Sequence, residues 1–144
     1  TKLSTVETMA AVRLQKYKGN LKKAFNWSAS LQYRGTVNVS KKTPTGYGLY
    51  GFKTSGGDCY VMASTFYWMA KVAGYDAHYV KGYFQKSGGK RGAHAWVEID
   101  QKVKGKKKTY VYDPNFQKEY KLNGYKLTYG AKRTLKYVNY KRVN

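Results

Sequence analysis

The sequence predicts an α+β domain: N-terminal helices and a central cysteine-bearing helix packed on an antiparallel sheet. Two observations carry this. Apolar residues recur at helical spacing as far as Gly74 and at alternate positions from Tyr75 onward. The stretch behind Gly56-Gly57-Asp58-Cys59, from Tyr60 to Gly74, is apolar around most of its girth, which marks a helix surrounded by protein. Helices first and strands afterwards separate the two kinds of element as α+β folds do.

The first helix is announced by Ser4 and Glu7, spaced as a capping box, with Val6, Met9, Ala10, Leu14 and Tyr17 on one face. Gly19-Asn20 stops it and starts a second, whose inner side carries Leu21, Ala24, Phe25, Ser28 and Leu31 and which is expected to end near Gly35. Thr36 to Phe52, with Pro44, Gly46, Gly48 and Gly51, reads as a long loop, a length often associated with function. In the central helix, Met62, Ala63, Phe66, Met69, Ala70 and Ala73 share the side of Cys59. Val61, Thr65, Trp68 and Val72 form a second apolar side, which leaves the Tyr60, Ser64, Tyr67, Lys71 stripe to meet water. Gly74 is its C-terminal cap.

Tyr75 to Phe84 alternates as a strand, and Lys86-Ser87-Gly88-Gly89-Lys90 is a turn. Gly92 to Ile99 and Thr109 to Tyr112 are two further strands, joined as a hairpin by the basic stretch around Gly105. Pro114 ends the third, having no N–H for a sheet ladder. Leu122 to Val143 supplies one or two more strands. No internal repeat is visible, and the whole reads as a single domain, residues 1–144.

At this length a core can form without disulfides. The lone cysteine forms no internal bridge and says nothing about redox compartment. No apolar run approaches the roughly 20 residues of a membrane span. No signal peptide is visible, and a start at Thr1-Lys2 without methionine suggests a module of a larger or processed protein. The 28 Lys and Arg face 7 Asp and Glu, a formal charge of +21, and the chain after Asp100 is basic apart from Asp113 and Glu119. Such a field implies polyanionic surroundings: nucleic acid, an anionic membrane or an anionic cell-wall polymer. The 16 tyrosines could stack on bases. Their spread at strand spacing suits half-buried strands equally well, so nucleic acid is the less favoured partner.

Chemistry is suggested by three residues. Cys59 falls on the first turn of the central helix, where unpaired N–H groups and the helix dipole favour a thiolate. If the hairpin is centred between Val103 and Lys104, His94 stands directly opposite Asp113, with Cβ atoms about 4.5–5.5 Å apart. Centring it on Lys104-Gly105 makes them diagonal neighbours, still within reach. An imidazole held by a carboxylate is half of a catalytic triad, and the central helix can bring the thiol to the other half.

Cys59 after Gly-Gly-Asp, then His94-Ala95-Trp96 on a strand, then Tyr112-Asp113-Pro114 resembles the transglutaminase-like superfamily. Ala73-Gly74-Tyr75 and Val80-Lys81-Gly82 fit too, so the resemblance covers about Leu21 to Asp113 and extends to the Leu135-Lys136-Tyr137 tail. It implies a papain-like/transglutaminase core with Cys59 as nucleophile, His94 as general base and later acid, and Asp113 as orienter. The reaction it implies is attack on an amide or peptide bond through a thioester, more often hydrolytic in compact bacterial members than cross-linking. An aromatic or amide residue ahead of the cysteine would help the Cys59 N–H hold the oxyanion; Tyr33 is the first candidate, then Gln32 and Trp27. Trp96 either walls the site or belongs to the core.

Other residues read more plainly. Asp58 is a helix cap, and His78, with no acidic or cysteine partner in view, is structural or at the surface. Glu98 shares a strand face with His94 and is a substitute orienter. One Cys, two His and scattered carboxylates give no metal cluster, no calcium loop is visible, and Gly46, Gly48 and Gly51 lack the spacing of a phosphate loop, so no cofactor or metal is expected. The expected partner is a protein or peptide substrate, with an anionic cell-wall polymer as a second. Resemblance and charge together point outside the cell, to the surface of a Gram-positive bacterium. The competing reading is a cationic cell-surface or polyanion-binding module whose triad is non-productive.

Overall fold

The structure, a computed structural model, describes residues 2–144. Helix α1 (Thr5–Lys16) starts at the Ser4–Glu7 capping box and buries Val6, Ala10 and Leu14. Helix α2 (Leu21–Ala29) is capped by Asn20 and ends sooner than expected, short of Gly35. The next residues, Gln32–Tyr33, form a short strand β1.

The second half of the stretch read as a loop is instead a helix, α3 (Pro44–Thr54). Thr43 caps it through the Gly46 N–H at 3.1 Å, and Pro44 occupies its first turn, where a missing N–H costs nothing. Its glycines mark close crossings. A Cβ on Gly48 would lie 2.7 Å from the Trp68 ring and 2.9 Å from Val6, and one on Gly51 would lie 2.5 Å from Thr65 and 2.6 Å from Val61. Packing density, not a turn, explains their presence.

Strand β2 (Gly56–Gly57) pairs in parallel with β1, setting Tyr33 against Gly57. Helix α4 (Cys59–Val72) follows, with Gly74 at a φ of +96° just beyond its end. Of the stripe expected to meet water, Lys71 is exposed and Tyr60 half-buried, but Ser64 and Tyr67 are 0 % and 2 % exposed. The Ser64 hydroxyl folds back onto the Tyr60 carbonyl at 2.7 Å, so burial leaves nothing unpaired. With Ala63, Phe66 and Ala70, Tyr67 packs on the sheet residues Tyr79, Ala95, Val97, Ile99 and Tyr112.

The sheet comprises β3 (Asp76–Gln85), β4 (Arg91–Val103), β5 (Lys106–Tyr112) and β6 (Lys136–Arg142), antiparallel in the order β5-β4-β3-β6. Of the two hairpin registers, the one centred on Lys104-Gly105 is present, with Val103 opposite Lys106. Both turn residues have positive φ, 52° and 79°, the geometry that matches strand twist in a two-residue loop. Direct pairing of His94 with Asp113 is thereby excluded; they are diagonal neighbours. Pro114 ends β5 and also opens a helix, α5 (Pro114–Tyr120), with Asp113 as its cap. On the face away from α4, Leu127, Tyr129 and Tyr137 cover Val80, Trp96 and Val111.

Candidate active site

Cys59 stands on the first turn of α4 because Asp58 caps that helix, its carboxylate accepting from the Val61 N–H at 3.1 Å. The cap reading of Asp58 is therefore right. Gly57 has no room for a side chain, since a Cβ there would lie 2.3 Å from Val61. The glycine turn and the helix start are thus locked together just ahead of the thiol, which is partly accessible.

His94 and Asp113 meet. His94 Nε2 lies 2.8 Å from Asp113 Oδ2, with the two side chains 3 % and 0 % exposed. Burial alone would lower the His94 pKa. The Asp113 charge and hydrogen bond outweigh it, and Cys59, close to the same imidazole, adds to the rise, to about 10. The ring is stacked against Trp96, with centroids 5.8 Å apart, and Phe84 meets it edge-on at 5.4 Å. Trp96 is fully buried, so it backs the imidazole and does not line an open cleft.

Asp113 is held from three sides. Oδ1 accepts from the Phe116 N–H at 3.1 Å, and Oδ2 accepts from the Tyr137 hydroxyl at 2.6 Å as well as from His94. Burial, then the Asp113 charge and that hydrogen bond, push the Tyr137 pKa far up, so it remains a donor. No chemical role for Tyr137 is evident from the sequence, although it lies in the tail included in the resemblance. Glu98 is already engaged: it accepts from Arg142 Nε at 2.6 Å and from the Tyr129 hydroxyl, which in turn accepts from Trp96 Nε1 at 2.8 Å. It orients the tail, not the imidazole.

Of the oxyanion candidates, Tyr33 is near the thiol. Partial burial raises its pKa first, and charge on Cys59 and Asp58 adds to it. Gln32, its neighbour on β1, points to the opposite side of that strand. Trp27 is committed elsewhere, stacked on Phe52 at 5.7 Å beneath the Arg13 guanidinium. Two hollows adjoin the turn. One, about 200 Å³, is lined by Tyr33, Asn115, Lys118 and Glu119; the other, about 400 Å³, includes Tyr60, Lys81, Tyr83 and Tyr140. Tyr60, its pKa raised to about 12 by burial and then by Cys59, marks the second as another flank of the thiol.

His78 departs from its expected isolation: Nε2 lies 2.9 Å from Asp76 Oδ1 and 3.6 Å from Asp100 Oδ2. The absence of any metal-ligating cluster, expected from the sequence, does not hold either, since these three residues group together.

The sequence matches the profile of the transglutaminase-like superfamily over residues 7–114. No curated protein matches it in sequence. In structure it is similar to the periplasmic domain of TgpA from Pseudomonas aeruginosa, solved with ethylmercury bound. That likeness has a TM-score of 0.57 at 19 % identity and covers 84 % of this chain and 48 % of the other. It is also similar to a candidate cysteine protease from Cytophaga hutchinsonii, with a TM-score of 0.54 at 12 % identity, over 79 % of this chain and 39 % of that one. The chain spans less than half the length of either neighbour. The likeness establishes the fold, mixed helices on an antiparallel sheet of the papain-like/transglutaminase type.

Proposed function

The chain belongs to the transglutaminase-like superfamily, and from that premise we propose that it is a thiol enzyme acting on amide or peptide bonds through Cys59, His94 and Asp113. The observation that supports this most is the buried His94–Asp113 pair at 2.8 Å, with Cys59 close enough to the same ring to raise its pKa. With its proton passed to His94, Cys59 attacks the carbonyl carbon as a thiolate, and the C=O pair moves onto oxygen. The Cys59 N–H and the Tyr33 hydroxyl hold that oxyanion. As the C–N bond breaks, protonated His94 gives its proton to the departing amine, leaving a thioester on Cys59. Water then attacks, His94 takes its proton, and the thiolate leaves with an acid as product; an amine in place of water gives a new amide. Asp113 keeps the ring oriented and offsets its positive charge throughout.

Hydrolysis is the primary outcome and transamidation the secondary one. Mass spectrometry after incubation with a peptide carrying Gln and Lys, with and without a small amine, separates them. Cleaved or deamidated peptide supports hydrolysis, amine adducts support transfer, and an unchanged peptide set identical to that of Cys59→Ala counts against the enzyme altogether. The substrate is a protein or peptide. The domain works outside the cytoplasm, a placement supported by the periplasmic origin of one structural neighbour; the charge of +21 suits an anionic Gram-positive surface.

A second reading is favoured by one observation, the excess of basic residues after Asp100. The hairpin and tail then dock on an anionic cell-wall polymer, either delivering the thiol to its substrate or serving adhesion with the triad idle.

A further inference from the structure

At the opposite end of β3 from the site's neighbourhood, a second set of ligating groups converges. Asp76 and His78 lie two apart on that strand and so share a face, and Asp100 is the cross-strand partner of Asp76. His78 pairs with Glu98, whereas His94 pairs with Gly82, which puts the two histidines about 13 Å apart along the strands. The three ligand atoms all lie within 4.8 Å of one another.

This group differs from an ordinary ion pair in how its atoms are aimed. His78 Nδ1 lies 3.1 Å from the Asn144 carbonyl oxygen, which can only accept. Nδ1 therefore carries a proton, and Nε2 faces two carboxylates, so the position between them suits a cation. Neither His78 Nε2 nor Asp100 Oδ2 has a hydrogen-bond partner, although both atoms are buried. Asp76 Oδ1 is close enough to Nε2 but out of hydrogen-bonding direction. The Asp100 side chain, 3 % exposed, is fixed by its other oxygen, which accepts from Thr109 Oγ1 at 2.6 Å and Arg142 Nη2 at 2.7 Å. A carboxylate steadied through one oxygen and a ring steadied through Nδ1 are how proteins hold metal ligands. The competing cation is Lys107 Nζ, 3.4 Å from Asp100 Oδ2, on a side chain 67 % exposed and free to swing away.

Metal bonds of 2.0–2.2 Å in a tetrahedron place ligand atoms about 3.3–3.6 Å apart; His78 Nε2 and Asp100 Oδ2, at 3.6 Å, already meet that spacing, and the exposed Asp76, at 2.9 Å, has only to draw back slightly. We propose that Asp76, His78 and Asp100 form a divalent transition-metal site of the zinc type, with its fourth position open to water. An imidazole nitrogen selects zinc-like ions over calcium or magnesium. The ion staples the start of β3 to β4 and, through Nδ1, to the end of the tail.

The test uses the full chain carrying Cys59→Ala, so that the thiol cannot take the ion. Cobalt(II) titration is expected to show saturable binding of one ion per chain with the intense visible bands of tetrahedral coordination, and zinc(II) to raise Tm. His78→Ala and, separately, Asp76→Asn are expected to weaken binding roughly tenfold or more. Asp76 is 60 % exposed on its side chain, so its replacement leaves the fold intact, checked by circular dichroism. No saturable binding of either ion, or undiminished affinity in both variants, overturns the proposal.

Discussion

Asp113 carries three obligations at once. It caps α5, accepts from Tyr137 and holds His94, all while fully buried. Asp113→Asn preserves the cap oxygen but replaces the charge that steadies an imidazolium. Activity is expected to fall roughly 100- to 10,000-fold with the fold retained, measured as kcat/KM beside Tm. Removing the Tyr137 hydroxyl in Tyr137→Phe takes a donor from a buried carboxylate and is expected to cost about 1.5–3 kcal/mol, read by denaturant unfolding. His94 sets the pH behaviour. Its raised pKa keeps the ring protonated through neutrality, so its contribution to stability is complete below the ordinary histidine value and disappears as pH rises through about 10. Both Tm and kcat/KM are expected to decline over that alkaline interval, and a profile flat across it would contradict the coupling. Cys59, His94 and Asp113 are legible in sequence because the turn, the strands and the hairpin are each local. Tyr137 is not, because its hydroxyl is delivered by a tail whose alternation does not say which strand it will join. The partners of His78 escaped the sequence reading: Asp76 could have been found, since it shares the strand face by spacing alone, whereas Asp100 needs the register between β3 and β4.

At the scale of elements, α3 shows how composition misleads. Gly46, Gly48 and Gly51 lower helix propensity, and Gly48 and Gly51 are what let this helix lie against α1 and α4. Gly51→Ala would raise propensity, yet its methyl meets Thr65 and Val61, so a loss of about 1–3 kcal/mol is expected by thermal unfolding. A stabilised variant would show that the crossing has slack. Pro114 gives the complementary lesson: the residue that closes β5 also fits the first turn of α5. The α4 stripe of Ser64 and Tyr67 was assigned to water by polarity, and tertiary packing overrode it because the hydroxyl finds a carbonyl within its own helix.

For the whole molecule, the α+β architecture followed from the change of period at Gly74, and the antiparallel run of β3, β4 and β5 from the short connections between them. Charge operates at this scale too. A formal +21 spread over a small domain sets an electrostatic field, not a fold. If the basic hairpin and tail dock on a polyanion, affinity for a teichoic-acid-like polymer is expected to fall steeply with salt, as counterion release requires. Equilibrium binding between low and physiological ionic strength measures this, and salt-independent binding would contradict it. The central claim is that one sulfur, one ring and one carboxylate act together. Its most direct measurement is the intact mass of the protein quenched in acid during reaction with an activated acyl amide. The expected result is a single acyl adduct mapped to Cys59, absent in Cys59→Ala and formed far more slowly in His94→Ala; equal labelling of all three proteins would contradict the account.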